Sequence, residues 1–202
     1  MKVENESATD KIRRHIWLTY KSRYNAHHRI LLIDRLQKIT ITIISIFILS
    51  ISVLLVNGNL LNSSQTNISN IFMIVLSIIL LALSLIIGQS DNKLDAYKLH
   101  ECARKLHRLY NHIEMQIEKD SNYKVSDEED QYNDILDQYE LNHKKIDWEN
   151  VIFQEWREHN KCFFSMILFK IKYIITTTGI YFFLSCIPVL VYVLIIRSSF
   201  AV

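Results

Sequence analysis

Three stretches without a charged residue decide what this chain can be. "ITITIISIFILSISVLLV" (39–56) runs for 18 residues, "ISNIFMIVLSIILLALSLII" (68–87) for 20 and "IITTTGIYFFLSCIPVLVYVLII" (174–196) for 23. A helix rises about 1.5 Å per residue and the hydrocarbon core of a bilayer is about 30 Å thick, so each stretch can span it or nearly so. The first stretch opens with strand-like alternation, but a strand in lipid would leave its backbone groups unpaired. Helix is therefore expected for all three. The chain-wide average, 50% hydrophobic and 22% charged, resembles a soluble protein only because it blends these blocks with the charged segments between them. The expected fold class is an all-α integral membrane protein. It has an N-terminal transmembrane helical hairpin, a cytoplasmic helical region and a third, C-terminal transmembrane helix.

A cleaved signal peptide does not fit the first block, because 38 residues precede it and no small-residue cleavage site follows a short basic start. No lipidation motif stands at either end. Orientation follows from the bases. Residues 1–38 carry nine Lys and Arg, the loop "NGNLLNSSQTN" (57–67) none, residues 88–173 thirteen, and the tail only Arg197. Basic segments resist translocation, so the N-terminus and 88–173 are expected in the cytoplasm, with 57–67 and the tail 197–202 outside. The net charge of +2 conceals this asymmetry. Cys102 and Cys162 fall in the cytoplasmic region and Cys186 in the third span, which is not an exported disulfide framework.

The soluble segments also read as helix, since only three Gly and one Pro punctuate the chain. Leu99, Cys102, Leu106, Leu109, Ile113 and Ile117 recur at three- and four-residue steps, a stripe suited to side-by-side packing. This helix is expected to continue out of the second span, with Gly88 as a joint. In the basic N-terminal segment Ile12, Ile16, Tyr20, Tyr24, His27 and Leu31 form a matching stripe. Ser126 and Glu129 have capping-box spacing for a helix that carries Tyr132, Ile135, Leu136, Tyr139 and Ile146 on one side. A segment rich in Trp148, Phe153, Trp156, Phe163 and Phe164 then leads into the third span.

No catalytic or metal constellation emerges. His100, Cys102 and His107 cluster in sequence, but His100 and Cys102 stand about 200° apart on a helix and cannot share a metal there. His159 and Cys162 could share a face, but two ligands do not make a site. The acidic run "DEED" (127–130) reads as a solvated helix start. There is no phosphate loop and no nucleophile elbow. We expect no enzyme, no cofactor, no metal and no direct nucleic-acid binding.

Within the spans, polar residues repeat at sevens. Ser45 and Ser52 lie on the first, with Thr42 one turn before; Asn70, Ser77 and Ser84 lie on the second. Seven residues are close to two turns, so each set forms a stripe. Such stripes either let helices pack closely and hydrogen-bond, or line a lumen in an oligomer. No Asp, Glu, Lys, Arg or His lies inside a span, which argues against a proton relay or ion-coupled carrier.

The basic, aromatic prelude "YKSRYNAHHRI" (20–30), the two-span hairpin and the helices after it resemble the SLATT domain, a two-transmembrane effector domain of bacterial nucleotide-signalling and defence systems. "YNDILDQYELNHKKIDW" (132–148) is similar to the late motif of its fifth subfamily, through Tyr132, Ile135, Leu136, Asn142, His143 and Asp147. The third span departs from the two that the family's name promises. The resemblance implies an anti-phage, abortive-infection effector in the bacterial inner membrane. Such an effector would form a homo-oligomer in the lipid bilayer and perforate it when a separately encoded sensor is triggered. That sensor would be a nucleotide synthase, a SLOG-type protein or a reverse transcriptase system. Residues 91–170 are then expected to hold a pore shut. The competing reading is a membrane-anchored scaffold with no pore activity. A holin fits less well, with 86 residues between its second and third spans.

Overall fold

The computed structural model describes residues 7–56, 62–120, 123–158 and 163–198. Six helices hold most of them: α1 (Ala8–Val56), α2 (Ser63–Gly88), α3 (Asn92–Lys119), α4 (Asp127–Asp137), α5 (Lys145–Glu158) and α6 (Phe163–Ser198). No strand occurs among the described residues. Residues 57–61, His159, Cys162 and 199–202, together with the side chains of Trp156, Phe163 and Phe164, lie outside the described residues.

The chain divides into two compact units. The first comprises residues 1–32 and 92–170. Its core takes Ile16 and Tyr20 from α1, Cys102, Leu106, Leu109 and Ile113 from α3, Val125 before α4, and Tyr132 from α4. These are the two stripes expected from sequence, and Ile12, Tyr24 and Ile117 pack around them as expected. Leu31 is the exception and is exposed. Ala96 and Ala103 are also buried, which widens the α3 stripe beyond two positions per heptad and lets neighbouring helices approach. Each buried Leu or Ile contributes about 1.5–3 kcal/mol relative to exposure, so this unit has a core of its own.

Helix ends fall where backbone donors find acceptors, and that differs in places from the sequence expectation. Ser7 caps α1, its Oγ accepting the Asp10 N–H at 3.1 Å. At α2 the Gln65 Oε1 accepts the N–H of Asn62 at 3.0 Å. Helix α2 thus begins inside the stretch read as loop 57–67. Ser126 precedes α4 but makes no side-chain cap; its hydroxyl donates to Asp127 Oδ1 at 3.1 Å. The acidic first turn of α4 is not wholly solvated, because Glu128 is buried and accepts a hydrogen bond from the Tyr123 hydroxyl.

The first of two expected continuities has its joint at Gly88, and the second is replaced by a break. Helix α2 ends at Gly88, where Gln89 and Ser90 donate back to Leu85 and Ile87, and α3 starts afresh at Asn92. Tyr132 and Ile146 lie on separate helices, α4 and α5. Helix α1 is uninterrupted, its 49 residues running from the basic segment through the first apolar block, and α6 likewise runs unbroken from Phe163 through the third block.

The second unit comprises residues 33–91 and 171–202. Among the described residues three helices, α1, α2 and α6, are long and apolar enough to cross a membrane. Tyr192 of α6 joins them: its ring lies edge-on to Phe47 of α1 at 5.8 Å and tilted against Phe72 of α2 at 5.6 Å. Its hydroxyl lies 3.3 Å from Ser69 Oγ. The third apolar helix therefore packs with the other two. Ile46, Ile78, Leu85 and Phe182 are among many exposed apolar side chains in this unit. A soluble monomer rarely shows so continuous an apolar face, and lipid is the solvent that suits it.

Candidate functional site: a buried ionic latch and an outward polar stripe

The most unusual chemistry lies in the first unit. Asp147 is completely buried at the third position of α5. Arg29 of α1, also buried, grips it with both arms, Nε to Oδ1 at 2.8 Å and Nη2 to Oδ2 at 2.9 Å. The same Oδ2 accepts the Lys144 N–H at 2.9 Å, as a side chain in the first turn can do for the residue before the helix. Asn25 Nδ2 donates to the Asp147 carbonyl at 3.2 Å. Three of these four hydrogen bonds, two from Arg29 and one from Asn25, fix α5 against α1. Two charges taken out of water are tolerable here because the pairing is bidentate and the remaining lone pairs are used.

Arg23, six residues earlier, is a second buried base. Its Nη1 donates to Cys102 Sγ at 2.7 Å, while its Nε has no partner. Burial pushes the Cys102 thiol up and Arg23 pulls against it. Tyr132 completes the wall: its hydroxyl meets Thr19 Oγ1 at 3.1 Å and its ring stands edge-on to His15 at 5.6 Å. His143 is half-buried with an unpartnered Nδ1. Its pKa is lowered by burial first and by Arg23 second, with Asp147 pulling the other way.

The motif residues therefore have distinct places. Tyr132 and Asp147 are buried against α1, and Ile135 and Leu136 pack on the core. Asn142 is exposed, and its Oδ1 accepts the His143 N–H at 2.8 Å, a local turn bond. The residues missed from sequence are Arg23, Arg29, Asn25 and Thr19. One signal was readable: Arg23 falls three residues after Tyr20, on the core stripe itself, where an unpaired base is costly. The histidines go separate ways. His107 stacks on Tyr20 at 4.8 Å, while His100 lies against Tyr24 and His27.

Acid should weaken this unit. A histidine whose folded pKa is depressed stays neutral in the fold while the unfolded chain takes up a proton. His143 and His28 are both lowered from 6.5, so their contribution is absent at neutral pH and turns destabilising as pH falls below that value. Unfolding midpoints of the chain in detergent should drop between pH 7 and pH 5, and His143→Gln should flatten the curve. A midpoint that rises over that range would contradict the assignment.

The polar stripes of the second unit point in different directions. Ser45 donates to the Ile41 carbonyl at 2.9 Å and Thr42 to that of Lys38 at 2.9 Å, so both satisfy themselves within α1. Ser52 donates to Met73 Sδ at 3.4 Å and belongs to the contact between α1 and α2. On α2, Gln65, Ser69 and Leu76 are the buried positions, whereas Asn70 and Ser77 are exposed and Ser84 is half-buried. Neither Asn70 nor Ser77 makes a side-chain hydrogen bond among the described residues.

A helical membrane protein, with a helical unit locked by a buried ion pair, is the class these features define. The chain belongs to the SMODS and SLOG-associating 2TM effector domain family 5, whose model matches residues 5–194. It is thus a membrane effector of the kind associated with SMODS and SLOG defence systems. No curated protein and no solved structure matches it.

Proposed function

We propose that this chain is an anti-phage, abortive-infection effector of the bacterial inner membrane that oligomerises and opens a pore on a signal from a separately encoded sensor. The observation that carries the reading is the outward polar stripe of α2. Asn70 and Ser77 are exposed on α2 and make no side-chain hydrogen bond among the described residues. Polar side chains in hydrocarbon seek hydrogen bonds across helix contacts or water in a lumen, and a ring of copies supplies either. α1 and α2 cross the bilayer as a hairpin, with the segment that joins them outside. The N-terminus and residues 88–173 stay in the cytoplasm, and the C-terminus emerges outside.

The signal reaches the membrane through α1. Because α1 is one helix, a sensor that pulls α5 from Arg29 acts on the same element that contributes the first span. The sensor is a nucleotide synthase, a SLOG-type protein or a reverse transcriptase system. Purified chain in dye-loaded vesicles tests the reading: leakage that rises with the trigger is expected. Vesicles that stay sealed with and without the sensor, while the chain still binds it, would leave the scaffold reading instead.

A further inference from the structure

An open groove of about 720 Å³ runs between α1 and α6 within the second unit. Leu36, Ile39 and Ile43 form one wall, and Tyr181, Phe182 and Val189 stand on the other. The α6 wall extends from Thr178 to Val193, about 22 Å of helix, against a leaflet whose hydrocarbon half is about 15 Å deep. No residue of α2 lines it. Helices in lipid gain little by joining apolar faces and associate through small and polar contacts; Thr40, Thr178, Ser185 and Cys186 line this groove, but its surface is mostly apolar. A flexible hydrocarbon chain can fill such a channel and restore dispersion contacts that an empty groove would forfeit.

Charge at one end selects among lipids. Arg35 lies one turn before Ile39 on the same face of α1, at the boundary between the charged and uncharged parts of the helix. It is exposed and has no ion pair or hydrogen bond among the described residues. Lys38 nearby is already paired with Asp34 at 2.5 Å. The Arg35 guanidinium can extend from the groove to the headgroup level, where it presents a planar fork to a phosphate.

We propose that the groove holds one acyl chain of an anionic phospholipid, with its phosphate bound by Arg35. The inference rests on the membrane placement argued above. The test uses the intact chain in nanodiscs of phosphatidylcholine that carry a trace of photoactivatable phosphatidylglycerol, or of phosphatidylcholine with the same reactive chain. Cross-links should concentrate on residues 36–43 and 178–193, with phosphatidylglycerol favoured about five-fold, the effect expected of one free base at a membrane surface. Arg35→Gln should remove that preference without moving the labelled positions. Equal labelling of the groove and of Ile78 on α2 would overturn the proposal while leaving the membrane reading intact. So would cross-links from groove residues to a second copy of the chain. Absence of labelling on all three apolar helices would overturn both.

Discussion

Asp147→Asn should destabilise the first unit by about 3–5 kcal/mol, the usual cost of leaving a buried charge without its partner. The substitution keeps the side-chain shape and an acceptor for the Lys144 N–H. It removes the charge that balances Arg29, whose Nε and Nη2 both donate to the carboxylate. Trp148 follows directly in sequence and provides a fluorescent probe in denaturant titrations. The double variant Arg29→Met/Asp147→Leu should recover most of the loss, because apolar replacements of similar volume remove both desolvation penalties at once. If the ion pair also holds the resting state, Asp147→Asn will leak dye without the sensor. The double variant, stable again, will separate loss of fold from loss of control. A single variant as stable as the parent would show that the pair is not a latch.

The apolar framework was legible because local spacing dictates it. Leu99, Cys102, Leu106, Leu109 and Ile113 are buried where a helical period puts them, and Ile16 and Tyr20 answer from α1. The motif's Asp147 was legible as a position to watch, through resemblance. Its partner was not, because Arg29 stands 118 residues away and no local rule pairs the two. Among nine bases in the N-terminal segment it carried no mark of its own. Capping misled for a related reason. Ser126 has the right residue three positions on, yet Ser7 and Asn62 are where capping bonds form. Spacing permits a cap, but the backbone geometry at the helix entry decides whether it is made.

The stripes in the spans illustrate the same limit and lead to the second large effect. A period of seven groups Asn70, Ser77 and Ser84 without stating which way they face. Packing turns the first two outward, while Gln65 and Ser69 face inward toward the contacts that include Tyr192. A straight helix drifts about 20° per heptad, which accounts for Ser84 turning toward the half-buried side. Asn70→Leu/Ser77→Leu should therefore leave the protomer folded, since neither side chain is hydrogen-bonded among the described residues. Hydrogen bonds between helices in lipid are worth about 0.6–2 kcal/mol each, so losing two per interface should weaken association about seven-fold or more. Cross-linking in vesicles would report fewer oligomers, and triggered leakage would fall with them. Ser69→Leu supplies the contrast: it loses the Tyr192 contact and should lower the melting temperature of the protomer itself. If the outward pair changes neither oligomer nor leakage while Ser69→Leu destabilises, the stripe faces only lipid and the pore must be built from another surface.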